Sequence, residues 1–164
     1  MPAKKQAPRR PASPPRRPAP QPRGSKAETV DYEALAQFRY ELRKFLAFSE
    51  AAAIESGLTP QQHQALLTIK GFSGHVPISV GEVAQRLFIR HHSAVELMNR
   101  MTKLGLLSKV IDDADGRRVL VSLTKEGERR LRKLSKIHAE ELGAVAPALT
   151  RILKPFRRVS SSGR

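Results

Sequence analysis
Apolar side chains return at three- and four-residue intervals through most of the chain, and at two-residue intervals in one place. From Asp31 to Ser56, Leu35, Phe38, Leu42, Phe45, Leu46 and Ala53 share one helical face. Arg39, Arg43, Lys44 and Glu50 fall largely on the others, and Gly57 follows as a C′ residue. Such a helix is about 39 Å long. That is long for so small a body, which suggests that part of it packs on another subunit.

Thr59-Pro60-Gln61-Gln62 predicts the start of a second helix. Thr59 can cap it, Pro60 suits the first helical position and Gln62 completes a capping box. This helix runs to about Lys70, with Ala65, Leu66 and Ile69 facing inward, and Gly71 and Gly74 break it. Ser79 and Glu82 form another capping box, flanked by a hydrophobic staple of Ile78 and Val83, and open a short helix to about Leu87. After a three-residue turn, Val95, Leu97, Met98, Met101 and Leu104 mark a fourth helix to Lys103, closed by Gly105. Its start has two readings. Ser93 with Glu96 forms a capping box that begins the helix at Ala94, or His91 and His92 are already its first turn.

The period then changes. Leu107–Ile111 and Val119–Leu123 are rich in Val, Leu and Ile, and Asp115-Gly116 lies between them, which predicts a β-hairpin. Thr124 caps a helix from Lys125 to about Leu142, with Leu131, Leu134, Ile137, His138 and Leu142 on its buried face. Gly143 and Pro147 are expected to interrupt it, leaving a last short helix to about Phe156. The order α-α-α-α-β-β-α-α is mainly α with a small hairpin. A short helix, a turn, a helix and a hairpin in sequence make a winged helix-turn-helix.

Charge adds a partner to this fold. The chain has 164 residues, with 30 Lys and Arg against 15 Asp and Glu. Residues 1–26 hold eight basic residues, no acidic one and eight of the twelve prolines. Such a stretch has little to bury, so residues 1–27 read as a disordered basic tail with polyproline II character, and 159–164 as a disordered end. The body, 28–158, keeps an excess of positive charge. The expected partner is an anionic polymer or surface. No Cys is present, which excludes disulfides, thiolate–zinc sites and thiol redox sensing. No apolar run approaches membrane-spanning length, and the N-terminus lacks the apolar stretch of a secretory signal, so a cytoplasmic protein that makes no membrane contact is expected.

Four stretches resemble the multiple-antibiotic-resistance regulator (MarR) family of bacterial transcription factors. Leu58-Thr59-Pro60-Gln61-Gln62 resembles that family's second-helix opening, and Val80-Gly81-Glu82-Val83-Ala84 the first helix of its DNA-reading pair. Asn99-Arg100-Met101-Thr102-Lys103-Leu104-Gly105-Leu106-Leu107 resembles the entry to its wing. Asp115-Gly116-Arg117-Arg118, followed by Leu123-Thr124-Lys125-Glu126-Gly127, resembles its wing tip and wing exit. Each piece is weak alone; all four in order are specific. Arg90-His91-His92 is bulkier and more basic than the small polar residues often found there, and the tail has no counterpart in the family's core fold.

The resemblance implies a homodimer whose first and last helices, about 31–56 and 125–156, intertwine around a DNA-binding part at about 59–123. Leu35, Phe38, Leu42, Phe45, Leu142, Leu149, Ile152 and Leu153 are the candidate dimer contacts. It also implies a repressor on a pseudo-palindromic operator in double-stranded DNA, with recognition helices in the major groove and wings in the minor groove. A small aromatic or phenolic effector would release it, and Phe45, Phe48 and Phe72 are candidate lining residues, although aromatics at helical spacing are more often plain core. The alternatives are an architectural DNA binder driven by charge and the tail, and an interaction module built on the Pro-rich segment.

His91, His92 and Ser93 lie at a helix N-terminus, where backbone N–H groups favour phosphate and these side chains can reach base edges. Arg90 and Arg100 suit phosphates or neighbouring acids. Arg117 suits a narrow, A·T-rich minor groove, with Asp115 to orient it and Arg118 as a weaker phosphate contact. The basic run Arg129, Arg130, Arg132, Lys133 and Lys136 reads first as a solvated face. The five histidines include no HxxxH pair, and no metal or other cofactor is expected. The sequence also lacks GxSxG, a phosphate-binding glycine loop and HExxH, and Asp112, Asp113 and Asp115 lack calcium-loop spacing, so no enzyme is expected.

Overall fold
A computed structural model describes residues 30–73, 77–154 and Phe156. Helix α1 (Tyr32–Glu55) starts where Asp31 Oδ1 accepts from the Ala34 amide at 2.9 Å. Gly57 then turns the chain at a φ of 72°, a left-handed value that disfavours a Cβ. Helix α2 (Pro60–Lys70) carries the expected capping box. Gln62 N donates to Thr59 Oγ1 at 3.2 Å and Thr59 N donates to Gln62 Oε1 at 2.9 Å. The same reciprocal pair, Ser79 with Glu82, opens α3 (Val80–Arg86).

Helix α4 (His91–Lys103) resolves the ambiguity at its start. Arg90 occupies the N-cap without a side-chain hydrogen bond, so the Ser93–Glu96 box does not begin this helix. Strands β2 (Leu107–Ile111) and β3 (Val119–Leu123) pair antiparallel in the register Leu107↔Leu123 to Ile111↔Val119. A two-residue strand β1 (Ile78–Ser79) joins the other side of β3, giving the order β1-β3-β2. The sequence reading had Ile78 and Ser79 only as a helix entry, because two residues carry no alternation.

The C-terminal part differs from the expectation of two helices. Helix α5 runs unbroken from Lys125 to Leu153, through both Gly143 and Pro147. Pro147 removes one amide donor and crowds the Gly143 carbonyl, a cost of about 3 kcal/mol in an ordinary helix. Here Val145 is buried and Leu149 and Ile152 are half-buried, so apolar residues lie on both sides of the proline and hold the helix together.

The core lies where Leu66, Val83, Leu97, Met98, Met101, Leu106, Val121 and Leu134 meet, drawing on α2, α3, α4, the sheet and α5. Gly127, in the first turn of α5, shows how closely these parts approach. A Cβ there would stand 2.2 Å from the Leu106 carbonyl oxygen. Leu142, expected on the buried face of α5, is exposed, and Ile137 is half-buried. Beside the candidate dimer residues Leu35, Leu42 and Leu153, the exposed Tyr32, Tyr40 and Leu46 leave α1 with a broad uncovered apolar surface. No helix among the described residues is long and apolar enough to cross a membrane.

Candidate nucleic-acid interface
The fold brings the first turn of α4 and the wing to one place. His91, Lys109, Arg117 and Arg118 line a single hollow of about 290 Å³, together with Val80, Val95 and Val119. His91 and His92 are exposed, and Ser93 is half-buried at the third helical position. With no side-chain cap on Arg90, the amides of this first turn stay available to an anion.

The wing loop is built by short-range hydrogen bonds. Asp115 Oδ1 accepts from the Arg117 amide at 3.1 Å, and Asp112 Oδ1 accepts from the Ala114 amide at 3.0 Å. The Asp115 carboxylate therefore shapes, through the backbone, the turn that carries Arg117. Arg117 makes no ion pair among the described residues. Arg118 makes two, at 3.4 Å to Glu82 and 3.7 Å to Asp112, and Arg100 stands 3.8 Å from Glu96. Hydrogen bonds from Ser79, then the cation of Arg118, hold the Glu82 carboxyl below its ordinary range.

The basic run on α5 is partly neutralised within its own helix. Arg129 forks onto Glu126 with two bonds of 2.7 Å, Arg130 Nε reaches the same carboxylate at 2.8 Å, and Lys70 bonds Glu128 at 2.5 Å. The bonds from Arg129, then Arg130, hold the Glu126 carboxyl down at about 2.

Two of the three candidate effector aromatics come together. Phe45 and Phe48 of α1 meet the ring of His138 edge-on, with centroids 6.0 and 5.7 Å away. Phe72 lies apart from this cluster in its contacts, under the Arg86 guanidinium at 5.1 Å. Ser49 and His63 of the cluster had no assigned role in the sequence, and His138 had only its place on the buried face of α5. His138 Nδ1 lies 2.8 Å from the Leu134 carbonyl, which only accepts, so Nδ1 carries the proton. In the neutral ring Nε2 then accepts from the Ser49 hydroxyl, also at 2.8 Å. The His63 ring sits 4.6 Å from that of His138, and burial first, then the neighbouring histidine, lowers its pKa to about 4. The 3–4 spacing that buried His138 was visible in the sequence; its partners were not. Among the described residues no three His, Asp or Glu side chains converge as metal ligands, and His75 lies outside those residues.

A helix-turn-helix followed by a wing, with Arg117 in no ion pair among the described residues, has the architecture of a winged helix-turn-helix DNA-binding domain. Residues 56–118 match the model of the MarR family. The fold is shared by MepR, the Staphylococcus aureus regulator of the multidrug efflux pump MepA, at 16% identity and a TM-score of 0.64, covering 81% of this chain and 98% of that one. A MepR variant bound to an oligodeoxyribonucleotide is similar at 16% identity and a TM-score of 0.57, covering 82% and 99%. NadR in complex with 4-hydroxyphenylacetate is similar at 20% identity and a TM-score of 0.62, covering 88% and 100%. No curated protein matches the chain in sequence. Residues 56–118, which span the helix-turn-helix and the first strand of the wing, thus match the MarR family in sequence, and the fold around them is that of solved MarR-family regulators.

Proposed function
We propose that this protein is a cytoplasmic, homodimeric repressor that reads a pseudo-palindromic operator and lets go when a small aromatic or phenolic acid binds. The observation that carries the reading is the shared hollow of His91 and Arg117, which places a helix N-terminus and an unpaired wing cation on one face. In this reading His91, His92 and Ser93 meet base edges in the major groove, Arg117 enters the minor groove, and Arg90 and Arg100 meet phosphates. The exposed Leu35, Leu42, Leu142 and Leu153, with the half-buried Phe38, Leu149 and Ile152, supply the dimer contact. The effector acts at the cluster of Phe45, Phe48, His63 and His138, which ties α2 to α1 and α5. NadR's complex with a phenolic acid supports that ligand class.

The test is selection from a random duplex library with full-length protein at roughly 0.15 M salt, where weak electrostatic binding is screened. The reading expects an inverted repeat with half-sites about 10 bp apart, one for each recognition helix. Retention of all duplexes alike would refute it.

A further inference from the structure
Arg118 is held unlike its neighbour in the chain. Its guanidinium lies 3.4 Å from Glu82 Oε2 on α3 and 3.7 Å from Asp112 Oδ2 in the wing loop. Glu82 Oε2 also accepts from Ser79 N at 2.9 Å and Ser79 Oγ at 2.6 Å, so it is fixed before Arg118 reaches it. The Arg118 backbone is tied as well: its amide donates to the Asp115 carbonyl at 2.8 Å, and its carbonyl accepts from the Asp112 amide at 2.9 Å. One residue thus joins both arms of the wing loop to the first helix of the helix-turn-helix.

The wing needs such a tie. Strand β1 pairs only with Val121 and Leu120, so beyond Leu120 the wing is a two-stranded ribbon with no third strand beside it. Ribbons of two strands are marginal alone and twist freely. Arg117 sits at the far end of this ribbon, so a small change of wing angle moves it away from His91.

We infer that Arg118 is a positioning residue, whose bridge to Glu82 sets the wing against α3 and thereby fixes Arg117 relative to the recognition helix. This replaces the phosphate contact expected of Arg118 from the sequence. The consequence for DNA rests on the function proposed above; the bridge itself belongs to the free protein.

Two measurements test it. Hydrogen exchange of free full-length protein needs no DNA. Arg118→Ala and Glu82→Gln should each speed exchange of the 112–118 amides several-fold with the rest of the chain unchanged; Gln keeps the capping box and removes only the charge. Unchanged exchange in the wing overturns the bridge. The second measurement is affinity for the duplex recovered by the selection above. Each substitution should weaken binding about threefold, as expected for an exposed ion pair, and the double variant no more than either alone. The slope of log K against log salt should stay as in the wild type. A phosphate contact gives the opposite pattern: Glu82→Gln strengthens binding by freeing Arg118, and Arg118→Ala lowers the slope by about 0.9. Failure of the selection to enrich any duplex would refute sequence-specific reading and leave the exchange result to decide the bridge.

Discussion

The rings of His63 and His138 lie 4.6 Å apart, tilted by 47°, although 75 positions separate them in the chain. They join α2, which opens the DNA-binding part, to α5, and Ser49 brings α1 into the same contact. Both ring nitrogens of His138 are engaged, and its neighbour is held neutral. A charge on His63 would be desolvated and would face a second imidazole.

Acid should therefore loosen this junction. The His63 pKa is about 4 in the fold against 6.5 ordinarily, so the unfolded chain takes up its proton first as pH falls. The stability contributed by neutral His63 is intact above about pH 6.5 and is lost as pH drops towards 4, roughly 2 kcal/mol of it by pH 5. Urea unfolding at pH 7.5 and 5.0 checks this. His63→Leu should remove most of that difference, and an equal difference in both proteins would refute the assignment.

Gly127 and Gly143 should respond oppositely to alanine. A Cβ at Gly127 would strike the Leu106 carbonyl, whereas nothing lies within 4 Å of one at Gly143. Gly127→Ala should destabilise by at least about 2 kcal/mol because backbone must move. Gly143→Ala should stabilise by roughly 0.5–1 kcal/mol through helix propensity. Denaturant midpoints decide both signs.

Pro147→Ala should raise stability by about 1–3 kcal/mol, since it restores a donor to the Gly143 carbonyl in a helix that already continues past it. A loss of stability would mean that the proline serves a bend which α5 needs.

Arg117→Ala should weaken operator binding and lower the salt slope by about 0.9, the share of one released counterion. Its effect should be largest where the flanking minor groove is A·T-rich. Asp115→Ala should weaken binding with little change in slope, because Asp115 holds the turn through the Arg117 amide. Fluorescence anisotropy at several salt concentrations measures both.

Local chemistry explains how much could be read in advance. Thr59 with Gln62 and Ser79 with Glu82 lie three residues apart, so their capping boxes, and the helix starts they mark, were visible in the chain. The Asp-Gly wing tip and the strands beside it were equally local. The departures come from tertiary contact. Packing carries α5 across Pro147, and pairing with Val121 and Leu120 makes a strand of only Ile78 and Ser79. At the interface, His91 and Arg117 were legible as exposed polar residues at a helix start and a turn. The fixing of Arg118 by Glu82, 36 residues away, was not, nor was the bond of His138 to Ser49, 89 residues away.

The most direct test of operator reading compares Kd for the selected duplex with Kd for a shuffled duplex of the same composition, at roughly 0.15 M salt. The face formed by His91, His92, Ser93 and Arg117 predicts at least a ~10³-fold preference for the selected sequence, reduced by His92→Ala. Equal affinity for the two duplexes would contradict base reading and leave charge alone as the source of binding.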